Sequence, residues 1–247
     1  MNNRTFNMRH FLLMLIALTI GMGSAWAQPS LFPYHDEMVP NYKKIKKYTT
    51  DPNNQYYYPK LKQRFLEGDT NLTFEECHYL YYGSIFAEGY FGYGDSDFID
   101  SADYYGNLIT DSMPEEQVIA LHNKALDFAK KAIHDNPHRL KHYVYVLSIL
   151  DILQRYDEME LYKEMLYCVL FPIYKSGDGS SPKKALHTVS ISDEYEFLHI
   201  YDFNVIGQQL VFIKKKPYDL MEASRYDDDT TYQIYFYVSH IMSSFKL

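Results

Sequence analysis

The sequence predicts an α+β protein, in which an N-terminal helical array precedes a small antiparallel β-sheet that carries a short helix. Apolar residues recur at helical spacing through much of residues 28–175, whereas residues 176–247 hold short runs rich in β-branched and aromatic residues. A Gly/Ser/Pro-rich stretch at 176–182 separates the two parts and is typical of a boundary. We therefore predict a helical domain over 28–175 and a small β-rich domain over 176–247, packed on the helices.

The first 27 residues have the composition of a secretory signal peptide. Arg4 and Arg9 precede an uncharged run from Phe11 to Ile20, and the segment ends in Ala25-Trp26-Ala27. That apolar run is too short for a membrane span, which needs about 20 residues. We therefore expect cleavage after Ala27, export across the inner membrane to the periplasm or the cell exterior, and no transmembrane segment in the mature chain.

Hydrophobic spacing, capping residues and prolines place the helices. Thr73 and Glu76 form a capping-box pattern at the start of one helix, and Pro114 opens another with acidic residues behind it. Pro137 is expected to end the second of these. Helices are predicted over residues 40–48, 57–67, 74–87, 114–137, 139–153 and 156–171, the last ended by Pro172.

One helix resembles part of a tetratricopeptide repeat. Ala125, Ala132 and Pro137 stand at the offsets of its second helix, and Pro172 follows 35 residues after Pro137, close to the 34-residue period. The signature of the first helix is missing, and Leu147 stands where Gly is usual. Tetratricopeptide-like helix pairs and an ordinary helical bundle both fit this pattern.

The C-terminal part reads as strands joined by turns. Short β-type runs cover residues 186–191, 209–213 and 232–238, with one or two helical turns at 193–200. Turns are expected at 214–217 and 225–229, because lysines, aspartates and a proline cluster there.

Composition favours a contact surface over nucleic-acid binding. The formal net charge is −8, whereas nucleic acid rewards basic patches. Tyrosine is abundant, with 26 residues, and it combines a large apolar ring with a hydroxyl that can bond a partner. The binding residues we predict are Tyr81, Tyr82, Tyr90, Tyr93, Tyr104 and Tyr105, and the expected partner is an envelope protein or peptide.

Two clusters have metal-ligating side chains. Asp95, Asp97 and Asp100 gather oxygen ligands in a loop at 89–103, as calcium requires, although without the EF-hand spacing. An acidic surface loop with a helix-capping aspartate is the alternative. His134, His138 and His142 are spaced four apart, but Pro137 interrupts their helix, which favours solvated histidines over a metal site. Calcium is therefore the only cofactor that the sequence suggests.

No catalytic motif is present, so we assign no catalytic residues. The sequence lacks H-E-x-x-H, G-x-S-x-G and a phosphate loop ending in G-K-[ST]. Cys77 and Cys168 can pair in an oxidising compartment, or else be two buried thiols. The sequence favours a non-enzymatic protein- or peptide-binding module; a glycan or small-ligand binder and an envelope hydrolase are the alternatives.

Several stretches, taken in order, resemble an uncharacterised family of secreted Bacteroidota proteins, domain of unknown function 4919. They are Tyr58-Pro59-Lys60-Leu61, Gly68-Asp69-Thr70, Tyr81-Tyr82-Gly83, Asp135-Asn136-Pro137, Gly177-Asp178-Gly179-Ser180-Ser181-Pro182 and Asp193-Glu194-Tyr195. The resemblance implies a Gram-negative envelope protein and brings no catalytic residues with it. The basic pair Lys183-Lys184 departs from the family pattern.

Overall fold

In the computed structural model, which describes residue 32, residues 37–225 and residues 230–244, helices precede a sheet. The helices of the first part are α1 (Tyr42–Thr49), α2 (Tyr58–Leu66), α3 (Phe74–Gly83), α4 (Asp97–Asn107), α5 (Glu115–Asp135), α6 (Leu140–Ile152) and α7 (Tyr156–Ser176). Next come β1 (Leu186–His187), α8 (Ile191–Ile200), β2 (Phe203–Ile213), β3 (Lys216–Arg225), β4 (Thr231–Tyr237) and α9 (Ser239–Ser244). This order confirms the predicted α+β class.

The capping box at the start of α3 forms as the sequence predicts. The backbone N–H of Glu76 donates to the Thr73 hydroxyl at 3.2 Å, and the backbone N–H of Thr73 donates to the Glu76 carboxylate at 2.8 Å. Two N–H groups that the helix itself leaves unpaired are thereby satisfied. The helix ends at Gly83, and a 3₁₀ turn over Ser84–Phe86 completes the predicted span.

Two helix boundaries differ from the prediction. Pro172 lies inside α7, which continues to Ser176, so the proline does not end the helix. Pro172 and the following Ile173 are both buried, and their packing outweighs the roughly 3 kcal/mol that an interior proline costs. The predicted loop at 89–103 is also partly wrong, because α4 begins at Asp97 with its N-terminus capped by the Ser96 side chain.

The sheet is mixed rather than purely antiparallel. Its strand order is β1-β4-β3-β2, with β2–β3 and β3–β4 antiparallel. Strand β1 runs parallel to β4, pairing Leu186 with Phe236 and His187 with Tyr237. The antiparallel prediction is corrected at β1: the chain leaves it through α8 and two more strands, and returns beside it in the same direction.

Strand β3 was missed by the sequence analysis, and the turn before it is shorter than predicted. Lys214 and Lys215 both have positive φ, 50° and 66°, as in a two-residue hairpin turn. β3 therefore begins at Lys216 and includes Pro217, which the sequence analysis placed in the turn. Charged residues along β3 interrupt the apolar alternation that marks a strand.

The connection between helices and sheet is tightly packed. A Cβ on Gly177 would lie 2.3 Å from the Lys184 carbonyl oxygen, so only glycine fits there. Gly179 has φ +69°, and its carbonyl accepts a hydrogen bond from the Tyr235 N–H in β4 at 2.9 Å. Buried apolar residues from the helices and from the sheet belong to one contiguous core.

The structure joins Cys77 in α3 to Cys168 in α7 by a disulfide. None of the helices that the structure describes is both long and apolar enough to cross a membrane. The predicted signal peptide, residues 1–27, lies outside the described residues.

Candidate functional site: the open sheet face

Six tyrosines are predicted to contact a partner, but the hydroxyls of three of them form hydrogen bonds within the chain. The rings of Tyr81 and Tyr82 in α3 are at most 1% exposed, and the Tyr82 hydroxyl lies 3.0 Å from each of two backbone carbonyl oxygens. Tyr90 is half-buried, and its hydroxyl donates to the Val189 carbonyl at 2.7 Å. Tyr81 and Tyr82 therefore offer no surface to a partner, which corrects their predicted role.

The other three tyrosines lie at the surface but on separate segments. Tyr93 is 46% exposed and lies in the Gly-rich loop, between Gly92 and Gly94, whereas Tyr104 is 59% exposed on α4. Tyr105 is half-buried, because its ring stacks on that of Phe128 with centroids 5.5 Å apart. Of these three, Tyr93 lies beside the site built below.

The three aspartates proposed for calcium have other local roles. Asp95 accepts a hydrogen bond from the His142 ring at 2.6 Å. Burial raises the pKa of Asp95, but hydrogen bonds led by that from His142 outweigh burial and lower it. Asp97 and Asp100 lie in the first turn of α4, where carboxylates are favoured by the positive helix end. Calcium binding there remains a prediction.

The three histidines spaced four apart lie in different environments. His134 is exposed near the end of α5, His138 is half-buried between helices, and His142 is buried in α6. Within the described ranges, no three His, Cys, Asp or Glu side chains are grouped as metal ligands would be.

A buried joint holds α3, α6 and α8 together. The Asp193 carboxylate accepts from the Leu140 backbone N–H at 3.0 Å and from the Tyr81 hydroxyl at 2.8 Å. The Leu140 N–H is the first of α6 and has no partner within that helix. Beside it, the Arg139 guanidinium donates to two backbone carbonyls of the Gly-rich loop, at 2.7 and 2.8 Å. Because all these groups are buried, the joint fixes where α8 lies on the sheet.

Next to this joint, two carboxyl groups approach each other between α8 and β3. Glu194 is fully buried, and its Oε1 accepts from the Thr188 hydroxyl at 3.3 Å. Asp219 is 5% exposed and accepts from the Gln208 amide at 2.7 Å. The oxygen of that same amide accepts from the Tyr195 hydroxyl. A chain of hydrogen bonds thus runs from the buried pair to the surface.

Burial and the closeness of the two carboxyl groups favour their protonated forms. Burial raises the pKa of Glu194 well above its usual value, and the neighbouring Asp219 raises it further. Burial also raises the pKa of Asp219, although hydrogen bonds from Gln208 and Glu194 oppose this. Two carboxylates this close do not both ionise readily. Of the two, Glu194 is the group whose pKa is raised further, so it holds its proton more strongly than Asp219 does.

Replacing Glu194 with glutamine should flatten the pH dependence of stability. A raised pKa in the folded state means that folded Glu194 holds its proton where the unfolded chain, with a pKa near 4.3, has lost it. The stability that folded Glu194 contributes in this way is complete below about pH 4.3, and it is lost as pH rises toward the pKa of the folded state. We expect the advantage of E194Q over the wild type to grow by up to about 1.4 kcal/mol per pH unit above about pH 5.

Urea unfolding at pH 5, 6, 7 and 8 measures this difference, with E222Q, at an exposed glutamate of β3, as the control. A difference between E194Q and wild type that does not change with pH would show that Glu194 is ionised in the folded protein.

Beyond the acid pair, α8 no longer covers the core-facing side of the sheet. Leu210 lies opposite Asp219 on the neighbouring strand, and Phe212 lies opposite Pro217, so they belong to the core-facing side. Yet Leu210 is 45% exposed and Phe212 is 63% exposed. Farther along the same side, fully buried residues underlie α8, namely Met221, Ala223, Ile234 and Phe236. We name as the open sheet face the surface made by Tyr195, Gln208, Leu210, Phe212 and Asp219.

Tyr93 lies at the border of the open sheet face. Burial raises the pKa of its phenol, and the nearby Asp219 and Glu194 raise it further. The surface therefore combines apolar side chains with an exposed amide and phenols, and the acid pair lies buried beneath it. This mixture of apolar area and a few fixed polar groups is typical of binding surfaces.

Sequence reasoning found the segment of α8 but not its role. Ser190 and Asp193 follow the S-x-x-D pattern that opens a helix, and the Ser190 hydroxyl does accept from the Asp193 N–H at 3.1 Å. That pattern would have placed the start of α8. Asp219 had no comparable signal, because β3 itself was not recognised.

Residues 43–246 match the family described as Domain of unknown function (DUF4919). No curated protein and no solved structure matches the chain.

Proposed function

This chain belongs to the DUF4919 family, whose description assigns no activity, and we therefore propose a function from its own surface. The protein is a non-enzymatic module that binds a protein or peptide partner on the open sheet face. We further propose that it acts in the envelope of a Gram-negative bacterium of the Bacteroidota, delivered by the signal peptide at residues 1–27.

The exposure of Leu210 and Phe212 carries the proposal. Both side chains lie on the side of the sheet that is core elsewhere, and both keep roughly half or more of their area in water. Covering such area stabilises a complex by roughly 25 cal/mol per Å² before the costs of association. Aromatic residues at the centre of a contact are also the usual source of binding energy.

The exposed polar groups of the open sheet face, Tyr195 and Gln208, are held in place by hydrogen bonds. Gln208 holds Asp219 through one bond and Tyr195 through another, so the polar groups are fixed before a partner arrives. Fixed groups lose little conformational entropy on binding. The chemistry suits a partner that presents an apolar side chain next to a hydrogen-bond donor.

The geometry favours this function over the two alternatives. A hydrolase would need its acid within reach of substrate, whereas Glu194 is fully buried behind Thr188 and Asp219. A glycan site usually offers flat rings for stacking, whereas Leu210 contributes a branched aliphatic chain to the centre of the open sheet face. Protein contacts use such mixtures of aliphatic and aromatic residues.

Cross-linking in intact source cells tests the function. The tagged wild-type protein should capture one reproducible partner, and the double change Leu210→Ser and Phe212→Ser should reduce its recovery at least about tenfold. The control is Ile152→Ser with Tyr156→Ser, an equally exposed aliphatic and aromatic pair on α6 and α7. Equal recovery from both variants, or no reproducible partner from the wild type, would contradict the proposal.

A further inference from the structure

Strand β2 leaves one edge of the sheet open. It is the last strand in the order β1-β4-β3-β2, and it is 11 residues long, Phe203–Ile213. Along its outer side, no strand of the described part of the chain pairs with it. A strand in this position presents a row of backbone N–H and C=O groups that can pair with another strand.

The exposed edge lacks the usual protection along most of its length. Folded proteins block such edges with charged residues, proline or bulges. Here a bulge lies between Val205 and Gly207, and Lys214 and Lys215 occupy the turn at the other end. Between them, residues 207–213 contain no charge and no proline. Such uncharged segments, rich in β-forming residues, pair readily with copies of themselves.

The distribution of charge along β2 favours a second copy of this strand as its partner, and it favours antiparallel over parallel pairing. A second copy of β2 brings no charge opposite residues 207–213, so neither copy opposes like charges there. In an antiparallel pair, the lysines at 214 and 215 of one copy approach the Asp202 end of the other. A parallel pair would instead place the two lysine turns side by side, which is unfavourable.

We propose that two copies of this protein form a symmetric dimer by antiparallel pairing of residues 207–213 of β2. The sheet then continues from one copy into the other. Side chains directly opposite each other in such a ladder share a face, so the two open sheet faces lie side by side on one surface. The dimer is independent of whether that surface binds a partner.

A charge placed in the ladder tests the pairing. Gln209 and Gln233 are both exposed and lie on the same outer face of the sheet, but Gln233 is in β4, an inner strand. By sedimentation equilibrium, the wild type and Q233K should have twice the mass of one chain, whereas Q209K should dissociate at least about tenfold more readily. A monomeric wild type, or equal dissociation of the two variants, would overturn the proposal.

Cysteine substitution at the centre of the ladder tests the geometry without depending on charge. Antiparallel pairing of residues 207–213 places the two copies of position 210 directly opposite each other, so oxidised L210C should form a disulfide-linked dimer. Q233C should not. A dimer in solution whose L210C variant does not cross-link would show that another surface joins the copies.

Discussion

Replacing Cys77 and Cys168 together with alanine should lower the free energy of unfolding by about 4–5 kcal/mol. The disulfide joins α3 to α7 across a sequence separation of 91 residues. In the chain-entropy model, a loop of that length restricts the unfolded chain by this amount. Both cysteines are buried, at 4% and 6% exposure, so alanine adds only a small cavity to the loss.

Denaturant unfolding of the double variant, and of the wild type with and without reductant, measures this effect. The reduced wild type is the matched control, because it loses the bond but keeps both sulfurs. An unfolding midpoint that is unchanged by reductant, or free thiols in protein purified without reductant, would show that Cys77 and Cys168 are not bonded.

Replacing Asp193 with alanine should lower the free energy of unfolding by about 2–5 kcal/mol, because two buried donors lose their acceptor at about 1–3 kcal/mol each. The change leaves the Leu140 N–H and the Tyr81 hydroxyl without their acceptor, and it leaves the buried Arg139 without its neighbouring carboxylate. Burial raises the pKa of Asp193, and the Arg139 charge and the hydrogen bonds from Leu140 and Tyr81 oppose that shift without cancelling it.

Two smaller changes separate the contributions to this joint. Asp193→Asn keeps an acceptor oxygen and should cost less than alanine. Tyr81→Phe removes two hydrogen bonds, one to Asp193 and one from the Val189 N–H, and should cost about 1–3 kcal/mol. The measurement is urea unfolding of all three variants at one pH. If Asp193→Ala costs no more than Tyr81→Phe, the buried joint does not hold α8 in place.

Local signals predicted the elements that local interactions determine. The capping box at Thr73 gave the start of α3, and Pro137 gave the end of α5 to within two residues. Both depend on groups a few positions apart in the chain. The prediction that Pro172 ends α7 was wrong, because the effect of this proline depends on the distant residues that bury the helix. The purely antiparallel sheet was wrong at β1, because a parallel pairing depends on the topology of the whole sheet.

The candidate site could not be predicted for the same reason. Its residues come from α8, β2 and β3, and the exposure of Phe212 follows from where α8 stops covering the sheet. The buried joint sets that position, and the two residues whose hydrogen bond it contains, Leu140 and Asp193, lie 53 positions apart in sequence. Tyrosine abundance pointed to a contact surface, but many tyrosines, such as Tyr82, use their hydroxyls inside the core.

The central claim is that the open sheet face binds a partner. A photo-activated cross-linking amino acid at position 212, introduced in the source cells, tests this claim directly. Position 156 is the control, since Phe212 and Tyr156 are exposed to similar degrees, 63% and 56%. We predict one reproducible adduct from position 212 with a protein other than a second copy of this chain, identified by mass spectrometry, and none of that mass from position 156. No such adduct from 212, or the same adducts from both positions, would contradict the claim.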